Sequence, residues 1–222
     1  MPDKSVDLVL TDPPYGIDYQ SARRIDTERF SKIDGDQEIN HHFIEEAYRL
    51  LKEDCGMYIF TRWDVYPKWA DKIQSAGFKI KNVIIWDRVI HGLGDLSGSY
   101  APQHDFIIYA IKGKPILKNG RPKDIIRVKR PDVDKMIHPT EKPIKLIREL
   151  IVNSTNKGDV VLDCFLGSGT TAIACKQLNR RWVGFEISPE YCKIIEKRLS
   201  QKVMTEFFDT QAHSTNVCYY VQ

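Results

Sequence analysis

Short apolar runs alternate along this chain with segments of helical period, and that alternation limits the fold more than any other feature. Val6–Thr11 (VDLVLT) reads as a strand, and similar runs lie at 57–61, 83–86, 106–111, 160–163 and 181–186. Between them, 40–52 sets Phe43, Ala47, Leu50 and Leu51 at helical spacing, and 67–76 is a helix stopped by Gly77. A third helix starts at Thr140 and carries Ile144, Ile147, Leu150 and Ile151; others follow the run 165–171 and span about 189–204. Residues 18–36 and the glycine-containing stretch 91–104 read as loops. Strands alternating with helices predict an α/β fold, a mostly parallel twisted sheet with helices on both faces. Such sheets bind ligands beyond the carboxyl ends of their strands.

The 222 residues suffice for one α/β domain with a full core, so the chain is read as a single domain over 1–222. No stretch approaches the ~20 apolar residues of a membrane span, and the start MPDKSVDLVL lacks the features of a signal peptide. Five cysteines, none in a CxxC or zinc-like spacing, read as reduced thiols of a cytoplasmic protein without a metal centre. The net charge of +3 is unevenly spread. Residues 112–148 hold twelve Lys and Arg against four Asp and Glu, a net of +8, leaving −5 for the remainder. Such a segment suits contact with a polyanion, the plain alternative being a solvated loop.

Two motifs sit where strands end. Asp163-Cys164-Phe165-Leu166-Gly167-Ser168-Gly169 joins a strand to a helix, and its glycines let the backbone approach a ligand. The next strand ends in Glu186, an acid placed to accept hydrogen bonds from ribose hydroxyls. A dinucleotide-binding turn is the rival reading, with Ala172 at its third glycine position. The second motif, Asp12-Pro13-Pro14-Tyr15, comes directly after Val6–Thr11 and is a stiff loop. Its groups match what methylation of an aromatic amine demands. The nitrogen lone pair is delocalised into the ring; the Asp12 carboxylate and the Pro13 carbonyl, accepting one N–H each, draw the nitrogen toward tetrahedral geometry. Tyr15 offers a flat face on which an extruded base can stack.

Together with His138-Pro139-Thr140-Glu141-Lys142-Pro143, these motifs resemble, in this order, the bacterial and phage DNA amino-methyltransferases of the N4/N6 type. The catalytic motif precedes the cofactor motif, as in the circularly permuted β class. The resemblance covers about 6–199 and implies a Rossmann-like methyltransferase fold with S-adenosylmethionine as cofactor. It implies that Asp12, Pro13, Pro14 and Tyr15 are catalytic, with Asp12 also near the cofactor. Asp163, Phe165, Gly167, Ser168 and Gly169 would line the cofactor, with Thr170 and Thr171 opening the helix behind. Glu186 would hold the ribose, and His138, Thr140 and Lys142 the methionine end, Lys142 pairing with its carboxylate. Target recognition would lie at 112–137, a stretch that reads as having few core residues and is expected on the same face as Asp12, where Lys114, Lys118, Arg121 and Lys123, then Arg127, Lys129 and Arg130, are the candidates for DNA contact.

The expected activity is methylation of adenine N6 in double-stranded DNA, because the first motif position is Asp, where cytosine-N4 members often have Ser. The alternatives are cytosine-N4 methylation, an RNA or protein-glutamine methyltransferase, and a catalytically silent nucleic-acid-binding subunit. Cytosine-ring methylation is disfavoured because no Pro-Cys dipeptide is present. A second copy of the chain and a restriction endonuclease are the other partners considered. Family members carry a further strand and helix before the VDLVLT-like strand, whereas here five residues precede Val6. The strand-like tail 216–221 (NVCYYV) is read as a loose end, with that sheet edge as the alternative.

Overall fold

The computed structural model describes residues 1–15, 41–92, 94, 97–132, 136, 141–200 and 217–220. Its strands are β1 (Val6–Thr11), β2 (Leu51–Thr61), β3 (Lys79–Asp87), β4 (His104–Lys112), β5 (Ile125–Arg127), β6 (Val160–Asp163), β7 (Arg181–Glu186) and β8 (Val217–Tyr220). They form one sheet in the order β5-β3-β4-β2-β1-β6-β7-β8. Neighbours are parallel except where β4 runs against β2 and β3. Seven strands therefore end at one edge of the sheet, and β4 begins there. That carboxyl edge holds Asp12, Asp163 and Glu186.

Five described helices cover the sheet: α1 (Phe43–Leu50), α2 (Tyr66–Ser75), α3 (Ile144–Ser154), α4 (Thr170–Gln177) and α5 (Pro189–Ser200). Strand pleating sorts the apolar residues between two cores. Leu8, Leu10, Tyr58, Phe60, Ile107 and Tyr109 face the core completed by Leu146, Leu150 and Ala172 of α3 and α4. Val9, Met57, Ile59, Ile108 and Ala110 face the core completed by Ile44 and Ala47 of α1 and by Trp69 and Ile73 of α2. Helices on both faces are thus present as expected. α1 buries Ile44, Ala47 and Leu50 while Glu45 and Glu46 occupy its first turn, where they suit the helix dipole. α2 has Pro67 at its start and is followed by Gly77 at φ 100, the conformation that ends it.

Three expectations are corrected. The second strand begins at Leu51 rather than at 57, because Leu51 already pairs with Val6 and a register shift comes after it. The stretch 112–137 is not poor in core residues: β5 adds to the sheet beside β3, and Ile126, Val128 and Met136 are 5%, 7% and 1% exposed. Ile126 and Val128 each contribute roughly 1.5–3 kcal/mol by burial, which anchors this half of the segment to the sheet edge. The tail is not a loose end over 217–220, since β8 pairs in parallel with β7, Glu186 opposite Tyr220.

Candidate active site

Adjacent strands bring three acids to the carboxyl edge. Asp12 comes directly after β1, Asp163 ends β6 and Glu186 ends β7; with neighbouring strands ~4.8 Å apart, they span roughly 10 Å. Each has a distinct environment.

Asp12 is partly shielded, its side chain 21% exposed. Its Oδ1 accepts the Tyr15 hydroxyl at 2.7 Å and its Oδ2 accepts the Lys142 ammonium. Lys142 in turn lies 5.0 Å from the centre of the Phe60 ring on β2. Tyr15 is half-buried against the α1/α2 core; burial first, then the Asp12 charge, pushes its phenol well above the ordinary range. It stays neutral and donates. Pro13 is buried and Pro14 half-buried, which fixes the loop between Asp12 and Tyr15.

Asp163 is 5% exposed and accepts from the Thr11 hydroxyl at 2.9 Å and the Phe165 amide at 3.1 Å. Burial raises its carboxyl to about 6 against the lowering effect of hydrogen bonds from Thr171, Phe165 and Thr11. Because Thr11 directly precedes Asp12, this buried bond ties the glycine loop to the Asp12 loop. Phe165 is half-buried and meets Phe43 of α1 edge-on at 5.2 Å.

Glu186 closes the glycine loop. Its Oε2 accepts the Gly167 amide at 2.7 Å and its Oε1 the Ser188 amide at 2.8 Å. Gly169 caps α4 in the left-handed region at φ 83, and a Cβ there would lie 2.9 Å from Ile195 of α5, so glycine is required twice over. Ser168, Thr170 and Thr171 are buried at the start of α4. The Ser168 carbonyl accepts from Arg198 of α5, which also pairs with Glu141 at 3.1 Å.

The expected cofactor set Asp12, Lys142, Asp163, Phe165, Gly167, Ser168, Gly169, Thr170, Thr171 and Glu186 therefore gathers around two adjoining loops and one strand end. His138 and Thr140 lie outside the described residues. Lys142 sits on Asp12, a partner that the motif alone did not indicate. Thr11, Arg198, Glu141 and the exposed Ile187 beside Glu186 also belong to this neighbourhood. Thr11 was within reach of sequence reasoning, as the residue joining the strand to the loop. Arg198, thirty residues from Ser168, had no signal.

The basic segment is divided by the sheet. β4 runs away from the site edge, so the chain leaving it emerges at the opposite edge. There Lys112 is buried, its ammonium capping the Tyr48 and Leu51 carbonyls. The Lys114 amide bonds Asp54 and the Lys118 amide bonds the Asn153 carbonyl at the end of α3. Arg121 and Lys123 are exposed on the return path. β5 then carries the chain back to the site edge. Arg127 pairs with Asp87 at 3.4 Å, Lys129 with Asp132 at 2.9 Å, and the Arg130 amide bonds the Arg88 carbonyl. The expectation that the whole segment lies on the Asp12 side fails for Lys114 and Lys118, because an antiparallel strand precedes them. Among the described residues, no group of three or more His, Cys, Asp or Glu could hold a metal ion, and no helix is long and apolar enough to cross a membrane.

Known proteins are similar to this chain. The chain is 31% identical to the type II methyltransferase M.HpaI of Haemophilus parainfluenzae, over 90% of this chain and 70% of that protein. It is 29% identical to the type II methyltransferase M2.DpnII of Streptococcus pneumoniae, over 90% and 84%. Among solved structures, the M1.HpyAVI–SAM complex superposes with a TM-score of 0.65 at 29% identity, covering 87% of this chain and 89% of that one. The cytosine-N4-specific PvuII DNA methyltransferase superposes with a TM-score of 0.69 over 93% of this chain and 84% of that one; at 17% identity it shares the fold alone. The fold is thus the Rossmann-like one of S-adenosylmethionine-dependent methyltransferases. A family model described as DNA methylase, of the N6/N4 type, matches residues 6–197, and the chain belongs to that family.

Proposed function

We propose that this chain is a β-class DNA methyltransferase acting on the exocyclic N6 amine of adenine with S-adenosylmethionine as methyl donor. The observation that carries the reading is the buried Thr11–Asp163 hydrogen bond, which holds the Asp12 loop against the glycine loop. In this reading the loop that takes the amine and the loop that takes the methyl donor lie side by side.

The residues fit that cofactor. Glu186 stands at the end of β7 with Ile187 58% exposed beside it, an acid for ribose hydroxyls next to an apolar surface for adenine. A carboxylate accepts at about four positions, so holding two amides is compatible with holding a ribose. Gly167, Ser168 and Gly169 bring main chain to the same place, with Phe165 alongside and Thr170 and Thr171 opening α4 behind. His138, Thr140 and Lys142 serve the methionine end in this reading. Lys142 would exchange Asp12 for the cofactor carboxylate. When bound, S-adenosylmethionine supplies an electrophilic methyl group on a positive sulfur.

Asp12 then accepts one amine N–H and the Pro13 carbonyl the other, which localises the nitrogen lone pair. Tyr15, neutral and donating to Asp12, fixes the carboxylate and offers its ring face to the base. The whole chain serves as one methyltransferase domain. Double-stranded DNA lies across the carboxyl edge, with Arg127, Lys129 and Arg130 reaching it; Lys114 and Lys118 are turned from it. Adenine is preferred to cytosine because the motif opens with Asp. The test is labelled methyl transfer from S-adenosylmethionine to duplex DNA, RNA and protein, followed by nucleoside analysis. The reading expects N6-methyladenine from DNA. N4-methylcytosine overturns the choice of base, and label in RNA or protein alone overturns the substrate.

A further inference from the structure

Trp63 is the one tryptophan of the four in this chain that lies on the surface. Trp69, Trp86 and Trp182 are 0%, 2% and 4% exposed, whereas Trp63 is 69% exposed. It stands two residues past the end of β2, the strand beside β1. Thr11 pairs with Ile59, so the turn at 62–64 lies alongside the Asp12–Tyr15 loop. The charge of Arg62 is felt at Tyr15.

The exposure is built in. Arg62 forks onto Asp64 with bonds of 3.1 and 2.7 Å, and the Tyr66 amide bonds the Arg62 carbonyl at 3.0 Å. The backbone on both sides of Trp63 is held, and the indole projects from a fixed turn. Further along the same edge, the β3–β4 loop exposes Ile90 at 52% and Tyr100 at 100%. The Gly92 amide bonds the Pro102 carbonyl and the Gln103 side chain bonds Asp87, which close that loop on itself. Beyond it come Arg127 and Lys129. The edge thus runs from the acid, past an exposed indole and an exposed phenol, to cations. Nucleic acid is the partner that uses flat rings and cations together, rings stacking on bases and cations on phosphates.

We propose that Trp63 is a DNA contact, stacking on a base of the duplex bound over Asp12 and helping to hold the target base out of its helix. The proposal rests on the reading that DNA binds this edge, and adds the residue that grips it. The three other tryptophans are buried, so Trp63 reports on its own contact. In the full-length protein, acrylamide quenching of tryptophan emission is measured with and without sheared plasmid DNA, while a gel shift records binding. DNA is expected to protect the quenchable emission, and Trp63→Phe is expected to lack that quenchable component. Trp63→Ala should bind DNA roughly 5- to 150-fold more weakly, the range found for loss of one base–aromatic stack, and Trp63→Phe should recover most of it. Affinity for S-adenosylmethionine and the unfolding midpoint should stay those of the parent. A DNA complex in which acrylamide still reaches Trp63, or a Trp63→Ala protein that binds DNA as tightly as the parent, overturns this inference alone. No shift with DNA overturns the functional reading and this inference together. Protection by RNA but not by DNA assigns Trp63 to a different nucleic acid and overturns the inference as stated.

Discussion

The two halves of the sheet solve the same task differently. In the half β1-β6-β7-β8 every strand is parallel, so β1, β6 and β7 each lead in sequence into a loop at the site edge. Asp12, the glycine loop and Ile187 all come directly after a strand. In the half β2-β4-β3-β5 the reversed β4 breaks that rule: the loop entering β4 lies at the site edge, and the segment leaving it lies at the far edge. Position after a strand predicts position at a site only where the strand direction is known.

The halves also differ in what they bury. The parallel half buries acids, Asp163 and Glu186, within a mesh of loop amides and hydroxyls. The other half buries Lys112 on the carbonyls that end α1, at the far edge, and on its site side it pairs charges nearer the surface, Arg62 with Asp64, Arg127 with Asp87 and Lys129 with Asp132. Buried acids are held in one geometry by many bonds, whereas exposed pairs contribute little to stability and can exchange partners. In the proposed function, the half with the closely bonded acids takes the cofactor and the chemistry, and the half with surface pairs takes the polymer.

Four perturbations bear on that division. The largest effect is expected at Asp12. Asp12→Ala should lower methyl transfer by at least about 10²–10³-fold, the scale of losing one preorganised hydrogen-bonding group. Cofactor affinity by calorimetry should survive, and near-normal turnover would remove Asp12 from the chemistry. Next is Asp163. Its carboxyl at about 6 in the fold, against the ordinary 3.8, means that folding favours its protonated form. The native state is therefore free of the penalty below about pH 4 and loses up to ~3 kcal/mol as pH rises through 6, at ~1.4 kcal/mol per unit. Asp163→Asn keeps the shape without the charge. It should be the more stable protein above pH 6 and equal to the parent below pH 4 in denaturant titrations; a constant difference across pH would contradict the assignment.

A smaller loss is expected at Glu186. Glu186→Ala should weaken S-adenosylmethionine binding by ~1–3 kcal/mol, and unchanged affinity would leave the ribose without its acceptor. The subtlest effect separates the ends of the basic segment. Neutralising Arg127, Lys129 and Arg130 together should flatten the salt dependence of DNA binding by about one unit of slope per lost phosphate contact. Neutralising Lys114 and Lys118 should leave the slope alone. Equal changes in both proteins would erase the distinction between the two edges.

Legibility in the sequence tracks the same division. The α/β class, the six strands that begin or end at apolar runs, and the two motif loops were readable because parallel strands bury both faces and lead into loops of unusual composition. β5 was not readable: three residues inside a basic stretch are too short a run to mark a strand, and pairing with Ile85–Asp87 is what makes them one. β8 was visible as a strand-like run, but its partner β7 lies more than thirty residues away, a long-range choice that local pattern cannot make. Lys112 counted as part of a basic run, yet it is buried on the carbonyls that end α1. The Lys142–Asp12 pair spans 130 positions and was equally hidden.

The claim that the Asp12 edge methylates adenine amines in DNA is tested most directly by modified-base sequencing of DNA from cells expressing the chain, beside cells expressing Asp12→Ala. The expected result is N6-methyladenine at one short recurring sequence in the first sample and none at that sequence in the second. N4-methylcytosine in its place, no modified base in the first sample, or the same adenine mark in both would contradict the claim.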